Sequence, residues 1–382
     1  MPQSTQSGSD RIIDVGDGLA LGPPSDGSYP TPLDVQQLLL RYGYNTTSFL
    51  WRYPGFLFFV CQGGRGIVAY VESGAAIIAA GDPLCAPEDA GACLDEFRIW
   101  CTKQSRYCVV LPASERLAAT ARPLGFSALP IGASPYFDLH TYAPSGNRAR
   151  KVRSAVNQAR RLGVQVWEYR TATRDPEIET EFREICALWQ KSRSIPQLPF
   201  LFQLDPLGHA GEKRYYVASS RERIEGFLAC SPIYARHGWF LEDLLRRPDA
   251  VHGTTESLVL GAIEALKVEG FDMATLGSAL LMPLDSSFVP LHSRDFSRHP
   301  RINRILALIY RYGRWFYNFR SLGHYKSKFA ASWWEADYIL CWPQKASPRL
   351  LLSIAGVFFD GAFSRALARH KWSHVVQRTQ RR

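Results

Sequence analysis

This sequence of 382 residues has few of the features that mark membrane-spanning or secreted proteins. Its best apolar run, Leu350–Phe359, is about half of the roughly 20 residues that a transmembrane helix needs. The N-terminus lacks a basic stretch followed by an apolar one, so we expect no secretory signal. These absences predict a cytoplasmic protein, either soluble or held peripherally at the inner face of the cell membrane.

Cysteine and histidine are present, but they lack the spacing of a disulfide framework or a metal site. The eight cysteines include no CxxC pair, and no histidine lies near Cys93, Cys101 or Cys108 at zinc-finger spacing. The nine histidines form no HExxH or Ser/His/Asp pattern. We therefore expect buried thiols in a reducing compartment, and no metal ion.

What the sequence does contain is a large apolar fraction and an uneven excess of positive charge. The chain is 46% hydrophobic and 13% aromatic, which excludes a mostly disordered protein. Residues 1–145 hold 9 basic and 13 acidic residues, whereas residues 146–382 hold 36 basic and 22 acidic ones. The net charge of +10 therefore belongs to the later part of the chain, which indicates a polyanionic partner.

The order of predicted elements indicates two similar halves. Each half runs helix, strands, a loop with an acidic residue and proline, helix and strand, which is typical of mixed α/β sheets and suggests a duplication. Predicted helices are Asp34–Tyr42, Glu88–Lys103, Ser114–Leu124, Glu177–Ser192 and Thr254–Glu269. Predicted strands are Gly55–Cys61, Gly66–Val71, Ala75–Ala80, Tyr107–Leu111, Ser134–Leu139, Tyr215–Ser219, Ile224–Ile233, Gly238–Leu245 and Met273–Leu276.

Domain boundaries follow from this order and from composition. Residues 1–30 are rich in Ser, Gly, Pro and Asp and are expected to be disordered. Residues 31–145 and 166–345 would form the two domains, joined by a basic helix in residues 146–165. Residues 346–382 would form a basic amphipathic tail.

The segment between the halves is a candidate phosphate-binding helix. Residues 147–163 contain six Lys and Arg residues and no acidic residue. On a helix, Arg150, Arg153, Asn157 and Arg160 recur at steps of three and four and share one face. A solvated basic face is the alternative, but six uncompensated cations favour binding to a nucleic-acid backbone.

Short motifs in the same order along the chain carry a resemblance to one family. They are Tyr42-Gly-Tyr-Asn-Thr-Thr47, Gly66-Ile-Val-Ala-Tyr70, Gly81-Asp-Pro83, the basic helix, Glu242-Asp-Leu-Leu-Arg-Arg247, Gly253-Thr-Thr-Glu256, Leu276-Gly-Ser278 and Tyr325-Lys-Ser-Lys-Phe329. Together they resemble the C-terminal synthase domain (DUF2156 type) of bacterial phosphatidylglycerol lysyltransferases. No segment resembles that family's membrane-spanning flippase region, and Glu256 stands where the family mostly has Asp.

The resemblance implies a fold of two tandem GNAT-like (acetyltransferase-like) domains, with the active site in the second. It implies an aminoacyltransferase that moves an amino acid from aminoacyl-tRNA onto a hydroxyl of a lipid such as phosphatidylglycerol. The charged tRNA would be the co-substrate, and no other cofactor is expected. Expected partners are aminoacyl-tRNA and an anionic membrane lipid surface, and not DNA.

The same motifs supply the candidate site residues. An aminoacyl ester is already activated, so its transfer needs positioning, a proton acceptor and cations at the developing oxyanion. Asp243 would orient the substrate amine or assist proton removal, while Arg246 and Lys328 would stabilise the oxyanion or the tRNA 3′ phosphates. The residues expected to bind substrate are Glu256, Ser278 and Lys326, with Lys326 and Lys328 sharing one strand face. Arg150, Arg153, Asn157 and Arg160 would hold the tRNA backbone.

Two other functions compete with this one. A GNAT-type N-acyltransferase would use acyl-coenzyme A or a carrier-bound acyl group on a small amine, but loop 247–254 has a single glycine and an acidic residue where a pyrophosphate cradle would lie. A non-enzymatic peripheral membrane protein is the other. Arg301–Tyr317 reads as a basic amphipathic helix with aromatic residues, and Leu350–Phe363 with the arginines after it repeats the pattern. Packing of the Arg301 helix on the core is the alternative.

Overall fold

The computed structural model describes residues 32–192, 200, 204–221, 223–280, 319–344 and 347–359. The helices are α1 (Pro32–Tyr42), α2 (Ala90–Lys103), α3 (Glu115–Ala121), α4 (Arg150–Arg161), α5 (Pro176–Lys191), α6 (Thr254–Val268), α7 (Phe319–Ser327) and α8 (Pro348–Phe359). The strands are β1 (Leu57–Val60), β2 (Gly66–Ser73), β3 (Ala76–Ala79), β4 (Leu84–Cys85), β5 (Tyr107–Ala113), β6 (Ser127–Asp138), β7 (Gln165–Tyr169), β8 (Arg214–Ser220), β9 (Arg223–Ile233), β10 (Gly238–Arg246), β11 (Met273–Thr275), β12 (Ala279–Leu280) and β13 (Trp333–Trp342).

Local sequence explains where several helices begin. The Ser114 hydroxyl accepts a hydrogen bond from the Leu117 amide and caps α3, and the Asp175 carboxylate accepts bonds from the first amides of α5. The five helices and nine strands predicted from the order of elements are confirmed, with their ends moved by a few residues in most cases. The exception is β6, which begins at Ser127 rather than at Ser134 because Pro130 and Gly132 weaken the strand pattern.

All described strands belong to one mixed sheet in the order β1-β2-β3-β5-β13-β6-β11-β10-β9-β8-β7, with β4 on β2 and β12 on β6. Its two ends repeat one topology. In each, a three-stranded antiparallel meander is followed by a helix and then by a strand parallel to the last strand of the meander. These parallel pairs are β3 with β5 and β10 with β11. The repeat supports the duplication that the element order suggested.

The two halves exchange their last strands. β6 ends the first half but pairs with β11 of the second half, and β13 ends the second half but pairs with β5 of the first. The two exchanged strands also pair with each other from Trp333 opposite Tyr136 to Cys341 opposite Ser127. The sheet is therefore continuous, and the predicted domain boundaries stay a prediction.

Helices cover both faces of this sheet. Alternate residues of β13 separate the two sides: Ile339 and Cys341 pack with α1 and α8, whereas Tyr338 and Leu340 pack with α2 and α3. Following the register across β6, β11 and β9 places α5 on the side of α1 and α8, and α4 and α6 on the side of α2 and α3. The predicted disordered segment 1–30, the predicted helix Arg301–Tyr317 and the tail beyond residue 359 lie outside the described residues.

Candidate active site

The candidate site lies where strands β10 and β11 separate. The two strands run in parallel register only from Gly238 to Phe240 on β10, opposite Met273–Thr275 on β11. β10 then continues to Arg246, whereas the chain after β11 turns away at Gly277. Among the described strands, the second half of β10 therefore pairs with β9 alone. We call the place where the two strands separate, between the second half of β10 and the turn at Gly277, the opening.

A β-bulge in the second half of β10 brings two adjacent carboxylates to one face of the sheet. Leu241 pairs with Cys230 and Asp243 pairs with Ala229, so Glu242 is the extra residue of β10. Glu242 Oε2 accepts a hydrogen bond from the Ser231 hydroxyl at 2.7 Å and lies 3.7 Å from Lys213 Nζ. Glu242 and Asp243 consequently belong to one polar cluster on the α5 side of the sheet.

Asp243 is the buried carboxyl of this cluster. It is 2% exposed, and within the described part of the chain neither of its carboxylate oxygens has a hydrogen-bond partner. Burial and the neighbouring charge of Glu242 raise the pKa of Asp243 to about 8, against the opposing effect of Lys213. A carboxyl group with this pKa can take up or release a proton near neutral pH.

Lys213 is the cation of the same cluster, and it ties the cluster to the first half. Its side chain is 1% exposed, and Nζ donates a hydrogen bond to Asp205 O at 3.4 Å and lies 5.4 Å from the ring centroid of Tyr53. Burial alone would lower the pKa of Lys213, but the charges of Glu242 and Asp243 hold it above its ordinary value. When Asp243 is ionised, one ammonium faces two carboxylates, and this excess of negative charge suits a cationic substrate group.

Arg246 and Lys328 lie on the opposite side of the sheet from Asp243. Along β10, Leu245 packs into the α5 core and Leu244 into the α6 core, so alternation places Asp243 on the first side and Arg246 on the second. Arg246 Nη1 donates to the carbonyls of Arg247 at 3.0 Å and Pro248 at 3.2 Å. The three predicted catalytic residues are thus divided between the two faces.

Lys328 pairs with one of the predicted substrate-binding residues. Its Nζ forms an ion pair with Glu256 Oε1 and lies 3.8 Å from the ring centroid of Tyr325. Burial would raise the pKa of Glu256, but the hydrogen bond and charge of Lys328 hold it below its ordinary value. The charge of Arg246 also acts on the Tyr325 hydroxyl, so these groups form a second cluster at the start of α6.

Lys326 occupies a different position from the one predicted. It lies in helix α7, and Lys328 lies just after that helix, so the expectation that the two lysines share a strand face is wrong. The Tyr325–Phe329 motif continues a helix that the sequence did not reveal, and its two lysines diverge. Lys326 is 7% exposed, and its Nζ donates to Gly277 O at 2.9 Å and Ser278 O at 2.8 Å. It therefore holds the turn after β11, where Ser278 was predicted to bind substrate.

A second buried ionisable group, Asp337, acts electrostatically on Lys326. Burial lowers the pKa of Lys326 to about 7 and raises that of Asp337 to about 6. Asp337 Oδ2 accepts a hydrogen bond from the Ser134 hydroxyl at 2.9 Å. Gly277 has φ +68, and a Cβ at this position would collide with the ring of Phe240, so glycine is required where the two strands part.

The basic helix α4 lies beside the start of α6. Val152, Ala155 and Ala159 form its buried face, and Gly253 at the start of α6 packs directly against the carbonyl of Ala155. A surface groove of about 530 Å³ runs along the exposed face and is lined by Arg150, Arg153, Ser154, Asn157, Gln158 and Arg161. Three of the four predicted phosphate-binding residues line this groove. The fourth, Arg160, is exposed on the same helix.

Sequence reasoning missed several members of these clusters. Lys213, Tyr53 and Ser231 belong to no motif, and only folding brings them to the bulge. Glu242 stood inside a quoted motif, and two adjacent carboxylates in an otherwise apolar strand were a signal that could have marked it. The Glu256–Lys328 pair joins residues 72 positions apart, which no local pattern reveals.

Other expectations from the sequence concern thiols, metals and membrane spans. All eight cysteines are free and buried, as predicted. Within the described ranges, no group of three or more His, Cys, Asp or Glu side chains is arranged to hold a metal ion. No helix in that part of the chain combines the length and apolarity that crossing a bilayer requires.

Comparison with known proteins identifies relatives of this chain. A family model described as "Phosphatidylglycerol lysyltransferase, C-terminal" matches residues 36–341. The phosphatidylglycerol lysyltransferase of Bacillus subtilis (strain 168) is 24% identical over 313 residues, which cover 80% of this chain and 35% of that protein. The lysylphosphatidylglycerol biosynthesis bifunctional protein LysX of Rhodococcus opacus (strain B4) is 29% identical over 233 residues, 59% of this chain and 20% of that protein.

Solved structures agree on the fold. The L-PGS structure from Bacillus licheniformis superposes with a TM-score of 0.70 at 19% identity, covering 86% of this chain and 96% of that one. A C-terminal DUF2156 domain from Agrobacterium fabrum gives a TM-score of 0.70 at 18% identity, covering 87% and 99%. The fold is thus the tandem GNAT-like α/β architecture that the resemblance implied. This chain spans about a third of the length of the Bacillus subtilis relative. With residues 36–341 matched in one continuous stretch, the chain belongs to the family of phosphatidylglycerol lysyltransferase C-terminal domains.

Proposed function

We propose that this protein is an aminoacyltransferase that moves an amino acid from aminoacyl-tRNA onto a hydroxyl of a membrane lipid such as phosphatidylglycerol. Membership of the family supports the reaction class. The observation that carries the proposal to this chain is the opening between β10 and β11. Asp243, a carboxyl group that can exchange its proton near neutral pH, lies on one side of the sheet there. The cations Arg246 and Lys328 lie on the other side.

The reaction itself requires no redox step and no covalent enzyme intermediate. The lipid hydroxyl attacks the carbonyl carbon of the aminoacyl ester, and a new ester bond to the lipid forms. The bond to the ribose oxygen of the tRNA breaks, and the proton of the lipid hydroxyl ends on that ribose oxygen. The protein must align the two substrates, carry the proton and stabilise the oxyanion.

In this proposal Asp243 assists at the amine or at the hydroxyl. Its oxygens lack partners in the described part of the protein, and once Asp243 is ionised its cluster with Glu242 and Lys213 carries more negative than positive charge. Such a cluster binds the α-ammonium group of the amino acid, or accepts the hydroxyl proton as attack proceeds. Both roles require the carboxylate form, so turnover would rise with pH through the pKa of Asp243, about 8.

The tRNA would approach from the opposite side. The groove of helix α4 presents exposed arginines next to the start of α6, where Lys328 and Arg246 lie. Arginine side chains bind phosphates through paired hydrogen bonds, so the groove offers donors to a polynucleotide backbone. This arrangement suits a polynucleotide whose 3′ end reaches into the opening.

Coenzyme A is a poorer fit to the same place. A pyrophosphate cradle needs free amide groups in the loop that opens the helix. Here Gly253, with φ +91, is packed against helix α4, and the carboxylate of Glu256 occupies the first turn of α6. Tight binding of acetyl-coenzyme A in calorimetry would favour an N-acyltransferase instead.

A direct assay of the purified full chain tests the proposed function. The protein is given a complete set of charged tRNAs and a total lipid extract, and the lipids are then examined by mass spectrometry. We expect consumption of one or a few aminoacyl-tRNAs and the appearance of an aminoacylated lipid. No consumption of any aminoacyl-tRNA would contradict the proposal.

A further inference from the structure

Helix α8 (Pro348–Phe359) has an outward face that a soluble protein does not need. A surface helix normally has one apolar face, which is buried, and one polar face, which is exposed to solvent. In α8 the residues facing the sheet are Leu350, Ser353 and Val357, but the positions opposite them are also apolar: Leu351, Leu352 and Ala355. Leu352 is 56% exposed, which places it among the most exposed large hydrophobic residues of the described chain.

The helix is held firmly in this orientation. The Ser353 hydroxyl accepts a hydrogen bond from the Ala75 amide at 2.9 Å, and the Ser73 hydroxyl donates to the Ser353 carbonyl at 2.8 Å. Gly74, with φ +52, brings the turn between β2 and β3 so close that a Cβ would lie 2.7 Å from the Ser353 hydroxyl oxygen. A polar residue inside an apolar helix is thus used to fasten α8 to the sheet, which fixes its opposite face toward solvent.

Charge indicates what this face contacts. From residue 346 to residue 382 the sequence has seven Lys and Arg residues and a single acidic one, Asp360. Arg349 lies on α8, and the other six cations follow the helix in the sequence. An exposed apolar helix face next to a cation-rich stretch of sequence matches an anionic bilayer, whose acyl boundary accepts leucines and whose headgroups attract cations. A second protein surface would have no need for this positive charge.

The position of α8 agrees with such a surface. α8 covers the same side of the sheet as α5, which is the side on which Asp243 lies, whereas the basic helix α4 covers the other side. A bilayer at α8 would therefore meet the protein on the side of the buried carboxyl and away from the arginine groove.

We propose that the outward face of α8, centred on Leu352, docks on an anionic membrane surface and orients the Asp243 side of the sheet toward the lipid. This docking goes beyond the transfer reaction and does not require turnover. A second copy of this chain is the competing occupant, and its presence is an outcome of the test.

The test uses flotation of the purified full chain with two kinds of vesicle, one of phosphatidylcholine alone and one of phosphatidylcholine and phosphatidylglycerol in equal parts. Leu352→Glu removes the exposed leucine and adds a charge that anionic lipid repels. The matched control is Ile99→Glu on α2, which is 41% exposed on the opposite side of the sheet. Equal melting temperatures of the three proteins show that both substitutions leave the fold intact.

We expect the wild type and Ile99→Glu to float with the phosphatidylglycerol vesicles, and Leu352→Glu to lose affinity by at least about tenfold, since a buried leucine contributes that much. Equal flotation of all three proteins would overturn the proposal. So would light scattering that shows a wild-type dimer converted to a monomer by Leu352→Glu with flotation unchanged. No aminoacyl-tRNA is present, so a failure of the transfer assay and a failure of docking are separate results.

Discussion

At the scale of single residues, Asp243 is the group whose surroundings most constrain the chemistry. A buried carboxyl normally satisfies its oxygens with hydrogen bonds, because an unpaired buried polar group is costly. Asp243 has no such partner in the described part of the structure, and it lies beside a second carboxylate, Glu242. In the folded protein, burial and the charge of Glu242 therefore destabilise the ionised form of Asp243. This is typical of a functional rather than a structural carboxyl group.

The raised pKa of Asp243 should make the stability of the protein depend on pH. Asp243 ionises near pH 4 in the unfolded chain and at about pH 8 in the folded one. A raised folded pKa contributes stability that is complete below the unfolded pKa and is lost as the pH rises through the folded one. We therefore expect the melting temperature of the wild type to fall between pH 5 and pH 8.5 by several degrees more than that of Asp243→Asn. Parallel curves for the two proteins would show that Asp243 is not held protonated.

The Lys328–Glu256 pair allows a second test at this scale. Lys328→Met leaves Glu256, which is 8% exposed, without its cation, and a half-broken buried pair costs about 2 kcal/mol or more. Glu256→Gln combined with Lys328→Met should recover much of that stability. Turnover should stay low in both variants if Lys328 acts on the substrate. Recovery of turnover along with stability would assign the pair a structural role only.

At the scale of elements, helix α4 is the part whose charged surface the sequence predicts most directly. A run of cations with no acidic residue needs only helical spacing to form one charged face, and the structure places that face at the surface. Arg153 has an additional structural task, since its Nη1 donates to Pro144 O at 2.8 Å and Gly146 O at 2.9 Å. Arg150 and Arg160 are the better residues for a binding test.

Substitution of these two arginines should weaken tRNA binding in a salt-dependent manner. We expect Arg150→Gln with Arg160→Gln to reduce affinity for every tRNA alike and to lower the slope of log affinity against log salt by about 1.5. Lys103→Gln with Arg41→Gln removes the same charge from helices α2 and α1 and serves as the control. Equal loss of affinity in the control pair would mean that net charge, and not α4, holds the tRNA.

Sequence patterns predicted these elements far better than their mutual placement. Alternation and glycine turns sufficed for β8, β9 and β10, because each is a local property of the chain. The bulge at Glu242 was not predictable, since it arises from the pairing of β10 with β9. The direction in which the Lys326 side chain points was also not predictable from the sequence. It depends on the contact between helix α7 and the turn at Gly277, 49 residues away.

At the scale of the whole molecule, the exchanged strands make the two halves depend on each other. β13 lies between β5 and β6, so the first half lacks a central strand of its sheet unless β13 is present. Neither half can complete its sheet alone, and an open edge on each side would be exposed to aggregation. The candidate site also depends on both halves, since Tyr53 of the first half contacts Lys213 of the second.

Unfolding should accordingly be one cooperative event. We expect the full chain to melt in a single calorimetric transition, and a chain ending at Ser332 to lose hydrogen-exchange protection in β5 as well as in β6, because both strands pair with β13. A chain ending at residue 145 that shows native protection in β5 on its own would contradict this interdependence.

We propose that this protein forms an aminoacylated lipid and that Asp243 is needed for the transfer. The most direct measurement is mass spectrometry of total lipids from three cell strains: one lacking the protein, one with the wild type and one with Asp243→Ala at equal abundance. We expect a lipid species heavier by one aminoacyl group in the wild-type strain alone. The same lipid profile in all three strains, or the new species with Asp243→Ala at wild-type level, would contradict it.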